Sequence, residues 1–248
     1  LFAQNVKTTE QTAKLTHDLQ QVAINDKDGN LPLLTTIDQE GGIVTRLGTG
    51  TNFPGNMAIG ATKNEQSSYF TGVVIGRELN SLGINVNFAP SVDVNNNPLN
   101  PVIGLRSFSS NPDLVAKLGV KMIDGIQSNG VAAAAKHFPG HGDTTEDSHN
   151  GIAIANHTLQ QMQQVEWIPF QKAIEQNVDF IMAGHITTPN ATTDGLPASL
   201  SYEMLTEQLR NYMHFDGIII TDALDMGAIT KYYENAPFTA ICAGADMV

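Results

Sequence analysis

The feature that most constrains this chain is a recurrence. Short apolar segments, most of them carrying polar or ionisable residues near their C-terminal ends, alternate with stretches of helical spacing. The segments are LPLLTTID (31–38), INVNFAPSVD (84–93), VAAAAKHF (131–138), VDFIMAGH (178–185), GIIITDAL (217–224) and ADMV (245–248). Continuous apolar runs of this length predict strands buried on both faces. Between two of them, Leu114, Val115, Leu118, Met122, Ile123 and Ile126 recur at helical spacing over 111–129, opened by Asn111-Pro112 and closed by Gly130. Residues 158–177 and 201–213 follow the same pattern. Strand alternating with helix predicts an α/β fold with a parallel sheet and crossover connections. A length of 248 residues with 41% hydrophobic content suits one domain with a substantial core.

Charge narrows the function classes. Thirteen Lys and Arg stand against 25 Asp and Glu, a formal charge of −12. That balance disfavours nucleic acid or an anionic membrane as partner and suits a small neutral ligand such as a sugar. An anionic ligand would need a local cluster, for which Arg46, Arg106, Lys136 and His137 are the candidates. Cys242 is the only cysteine, so no internal disulfide or cysteine-based zinc site forms; it is expected to be a small buried residue. No apolar run reaches the roughly 18 residues of a membrane span, and LFAQNVKTTE has no signal-peptide pattern. The compartment, bacterial cytoplasm or cell wall, stays open. Opening on LFAQN and stopping on GADMV, the chain is expected to be one domain over 1–248, incomplete at both ends. LFAQN reads as the end of a further strand, and the stretch after Asp225 as short for a crossover helix.

The ionisable residues Asp38, Asp93, Lys136, His137, His185 and Asp222 all fall at the C-terminal ends of the expected strands, where α/β barrels and doubly wound sheets carry their active sites. The stretch 136–149 holds three histidines and two aspartates. A metal site is one reading, but Pro139, Gly140 and Gly142 force a loop where helical ligand spacing would be needed. Asp147 and His149 read as a dyad in which the carboxylate fixes the imidazole tautomer, so that His149 can give and take a proton; a capped loop histidine is the alternative. Asp222, past the strand GIIIT, has the place of a nucleophile, with helix capping as its structural alternative and Asp225 as its rival. In DQEGG, Asp38 is a candidate for holding sugar hydroxyls. Glu40 would make a carboxylate pair with Asp222 as general acid. Trp167 reads as core, and His185 as a supporting residue.

Taken in order, DQEGG, KHFPGHG, DSH and TDALDM resemble glycoside hydrolase family 3, and within it the NagZ-type β-N-acetylglucosaminidases, over positions 31 to 248. The resemblance implies a (β/α)8 TIM-like barrel, truncated here near its last strand and helix, and a retaining double displacement without cofactor or metal. It implies Asp222 as nucleophile and His149, partnered by Asp147, as acid/base, in preference to Glu40. Asp38, Arg46, Arg106, Lys136 and His137 take the positions that hold the sugar. The expected substrate is a terminal N-acetylglucosamine of peptidoglycan fragments or chitin-like oligosaccharides. Phosphorolysis, a family 3 β-glucosidase and a non-catalytic carbohydrate-binding fragment are the competing readings.

Overall fold

The computed structural model describes residues 1–25, 31–146 and 151–248. Its strands are β1 (Thr36–Ile37), β2 (Val86–Asn87), β3 (Ala132–Phe138), β4 (Ala153–Ile154), β5 (Phe180–Ala183), β6 (Ile186–Thr187) and β7 (Ile218–Thr221). The main sheet runs β1-β2-β3-β5-β7 with every pair parallel. ADMV joins beyond β7 through a parallel bridge between Ile220 and Met247. Strand order thus follows chain order without reversal. This is the arrangement of a (β/α)8 barrel and not of a doubly wound sheet, whose order turns back at a switch point.

The continuous apolar runs follow from what lies on each face. Alternate side chains point to opposite sides of a strand. Ala134, Phe180, Met182 and Ile220 therefore meet with Val86 in one cluster inside the curl of the sheet. Their neighbours Ala133, Ala135, Ile181, Ala183 and Ile219 belong to a larger cluster between sheet and helices. Both faces are dry, so polar residues are pushed to the strand tips.

The helices are α1 (Thr9–Ile24), α2 (Asn56–Thr62), α3 (Glu65–Ser81), α4 (Pro112–Gln127), α5 (Leu159–Gln164), α6 (Trp167–Glu175), α7 (Gly227–Thr230) and α8 (Ala236–Ala243). The Asn111 carboxamide accepts from the Leu114 amide and starts α4, with Pro112 in its first turn. Helices α3 and α4 touch through glycines. A Cβ on Gly72 would lie 2.3 Å from the Met122 carbonyl, and one on Gly125 2.3 Å from that of Tyr69.

Several expectations are corrected. LFAQN is a turn, because the Asn5 side chain accepts from the Phe2 amide and the Asn5 amide donates to the Phe2 carbonyl. The helix expected over 158–177 breaks at Val165, since Pro169 has no N–H for the Val165 carbonyl. Residues Glu203–Tyr212 form a wider π-helix. The stretch after Asp225 holds both α7 and α8. Cys242 is exposed: it lies beside exposed Ile241 in α8, while Ala240 and Ala243 take that helix's buried side.

Candidate active site

The tips of β1, β3 and β7 converge on one cleft of about 320 Å³. Asp38, Arg46, Arg106, Lys136, His137, His141, Asp222 and Asp225 line it with Phe2, Val44, Val102, Ala223 and Met226. All the residues expected to hold a sugar, and the expected nucleophile, are therefore in one place. Asp147 and His149 lie outside the described residues.

Glycines shape the first wall. Gly41 and Gly42 have φ of 91° and 59°, and a Cβ on Gly42 would meet the Gly55 Cα at 2.9 Å, so DQEGG turns where only glycine fits. Gln39 fixes the return of the chain: its carbonyl and amide pair with the Asn87 side chain, and its Oε1 accepts from the Arg46 and Leu47 amides. Arg46 is thereby brought within 3.9 Å of Asp38.

Behind the wall sits a buried ion network. Lys136 Nζ lies 2.7 Å from Asp38 Oδ1 and 2.8 Å from Glu40 Oε1. Arg106 grips Glu40 with two bonds, Nε at 3.0 Å and a terminal nitrogen at 2.7 Å. Burial works to raise the Glu40 carboxyl, yet Lys136 and Arg106 outweigh it and hold Glu40 far below the usual carboxylate range. Burial likewise works against the Lys136 ammonium, but Glu40 and Asp38 keep its pKa raised. A carboxylate locked between two cations has no proton to donate, so Glu40 does not suit the role of general acid. It holds Lys136 and Arg106 in place, and one of the three Lys136 N–H groups is left for a ligand.

His137 stands on Asp93. Its Nδ1 is 2.7 Å from Asp93 Oδ2, and its Nε2 is 3.2 Å from Arg106. A guanidinium only donates, so Nε2 accepts and Nδ1–H is directed at Asp93. The Lys136–His137 peptide is cis. Asp93 also accepts from the Ser91 hydroxyl and from the His141 amide at 2.7 Å. Burial works to raise its carboxyl; His137 and His141 more than offset this and leave it lowered. His141 is pushed down to about 4 by burial and by His137.

Asp222 ends β7. Its amide donates to the Ala183 carbonyl and its Oδ1 accepts from the Ala223 amide at 2.8 Å. Burial works to raise its carboxyl, but His137, His185, that amide and Lys136 outweigh it, so Asp222 is held below the ordinary range. His185 braces the same corner: Nε2 donates to the Ala223 carbonyl at 2.9 Å, and Nδ1 is 2.7 Å from the Ser199 hydroxyl. Trp167 is buried and stacks on Phe138 at 5.7 Å between ring centres, as core.

An open parallel barrel with ionised groups gathered at its strand tips defines an α/β-barrel domain of the enzyme type. The chain belongs to glycosyl hydrolase family 3, whose N-terminal domain model matches residues 1–248. It is 44% identical to the beta-hexosaminidase A of Pseudoalteromonas piscicida, over all of this chain and 44% of that protein. It is 34% identical to the beta-hexosaminidase of Hydrogenovibrio crunogenus, over all of this chain and 70% of that one. Among solved structures, a family 3 β-N-acetylglucosaminidase from Paenibacillus sp. str. FPU-7 superposes with a TM-score of 0.97 at 46% identity, covering all of this chain and 47% of its own. The chain thus spans less than half the length of two of these three relatives.

Proposed function

We propose that this domain serves a retaining, exo-acting β-N-acetylglucosaminidase. The observation that carries the reading is Asp222: a carboxylate held ionised at a strand tip, facing a cleft whose other groups suit sugar hydroxyls. Asp38, Arg46, Arg106, Lys136 and His137 hold the terminal N-acetylglucosamine. Asp222 attacks its anomeric carbon, forming an ester to the sugar, while the leaving oxygen takes a proton from His149. Water then adds to that carbon and gives its proton to His149, and the Asp222 carboxylate departs. Asp147 keeps the His149 tautomer. Peptidoglycan fragments and chitin-like oligosaccharides carry the required terminal sugar.

Phosphate in place of water is the second reading, favoured by the partly exposed Arg46, whose contact with Asp38 is long at 3.9 Å. Turnover of aryl N-acetylglucosaminide and aryl glucoside, each with and without phosphate, tests both. Release of free N-acetylglucosamine, abolished by Asp222→Ala, is expected. Full activity of that variant contradicts the assignment, preference for the glucoside contradicts the substrate, and a sugar 1-phosphate product selects phosphorolysis.

A further inference from the structure

One strand away from Asp222, His185 follows the end of β5, the neighbour of β7, and both it and Ser199 are buried at 0% exposed. Its Nε2 lies 2.9 Å from the Ala223 carbonyl and its Nδ1 2.7 Å from the Ser199 hydroxyl. A carbonyl only accepts, so Nε2 carries the hydrogen, and in the neutral ring Nδ1 accepts from Ser199. Ser199 is clamped in turn: its amide donates to the Gly184 carbonyl at 3.2 Å, and the Gly184 amide donates to the Phe138 carbonyl at 2.8 Å. A line of hydrogen bonds thus runs from the last residue of β3, which follows Lys136 and His137, to the residue after Asp222. With both nitrogens committed in a dry site, the ring is held in one orientation.

Ala223 is where this line meets the nucleophile. Its amide donates to Asp222 Oδ1 at 2.8 Å, which leaves Oδ2 as the oxygen for the anomeric carbon. Ala223 is exposed and starts a turn that closes on itself, the Met226 amide donating to the Ala223 carbonyl at 3.1 Å. Leu224 packs against the core and Met226 is buried, apolar contacts that place the turn but carry no direction. Among the described residues, the bond from His185 is the hydrogen bond that ties residues 223–226 to another strand end. Ala223 therefore has its amide on Asp222 and its carbonyl on His185, and the second contact limits rotation of the first.

We propose that His185, set by Ser199, is a positioning residue for the nucleophile: by holding the Ala223 carbonyl it keeps the Ala223 amide on Asp222 Oδ1 and so presents Oδ2 to the anomeric carbon. The inference rests on Asp222 as the nucleophile. It concerns the attack and not the holding of the sugar, because Asp38, Arg46, Arg106 and Lys136 have their own supports. A misplacement of about 1 Å lowers a rate by up to roughly 100-fold.

The test measures two quantities in the full chain. The rate of inactivation by a 5-fluoro N-acetylglucosaminyl fluoride reports attack by Asp222, with a leaving group that needs little help from an acid. The inhibition constant of N-acetylglucosamine reports the groups that hold the sugar. His185→Ala is expected to be inactivated roughly 10- to 100-fold more slowly, with the inhibition constant within about threefold of the parent. His185→Gln, whose amide still donates to the Ala223 carbonyl, should recover part of the loss. Ser199→Ala should shift the rate in the same direction by a smaller factor, and it carries the test where melting temperatures show that His185→Ala folds poorly. An unchanged inactivation rate, or a loss matched by an equal weakening of N-acetylglucosamine binding, overturns the inference while leaving Asp222 standing if Asp222→Ala takes no label. An Asp222→Ala variant labelled at the parent rate removes the nucleophile reading, and the inference with it.

Discussion

Glu40 shows how far the chemistry of one residue depends on partners distant in the chain. In the sequence it is one acid of DQEGG, as fit for proton donation as any other. In the fold it meets Arg106 and Lys136, and those contacts decide its role. Replacing it as Glu40→Gln leaves buried Arg106 without its counter-charge and Lys136 with Asp38 alone, with an expected loss of about 3–5 kcal/mol in urea unfolding; an unchanged midpoint would refute the structural role. Its folded pKa is depressed, so the unfolded chain binds more protons as pH falls through about 4.3. The Glu40 contribution is complete above that pH and is lost on acidification. His141 gives a second acid limb. With its pKa pushed down to about 4 from 6.5, the unfolded chain binds a proton that the native state refuses. Stability is expected to fall by on the order of 3 kcal/mol from about pH 6.5 to pH 4. Unfolding of His141→Asn should show a flatter limb over that range, and an equal slope would contradict the assignment. Sequence reading brought out Asp38, Arg46, Arg106, Lys136, His137 and Asp222, which share the cleft. It gave no role to Asp93 as the seat of His137, because those partners lie 44 residues apart in the chain.

Among the elements, the strands longer than three residues and helix α4 were the most legible. β3, β5 and β7 are apolar on both faces, so their sequences run without interruption, and α4 announces itself by Asn111-Pro112. The two-residue pair β4 and β6 carries no periodicity to read. LFAQN was misread because an Asn side chain closes a turn that its apolar start conceals. The glycine contact between α3 and α4 had no sequence signal apart from the glycines themselves. Gly125→Ala would force a methyl against the Tyr69 carbonyl, and a loss of about 1–3 kcal/mol is expected in denaturant melts. Gly48→Ala, where a Cβ meets nothing within 4 Å, should leave stability within about 0.5 kcal/mol. Equal effects of the two would contradict the close packing.

At the scale of the whole molecule, strand order is the decisive feature. It follows the chain from β1 to the bridge at Met247, curling the sheet so that polar tips from positions 38, 136, 137 and 222 meet at one end. The formal charge of −12 lies outside this logic, since the site balances its own charges locally. Turnover of a neutral aryl glycoside is therefore expected to change less than about twofold as salt shortens the screening length from about 10 Å to 3 Å; a steep salt dependence would mean that the overall field takes part. The central claim is that Asp222 forms the bond to the sugar. Its most direct measurement is mass spectrometry of peptides after inactivation with a 5-fluoro N-acetylglucosaminyl fluoride. The account predicts one glycosyl adduct on Asp222 itself, and an adduct on Glu40 or Asp225 instead would contradict it.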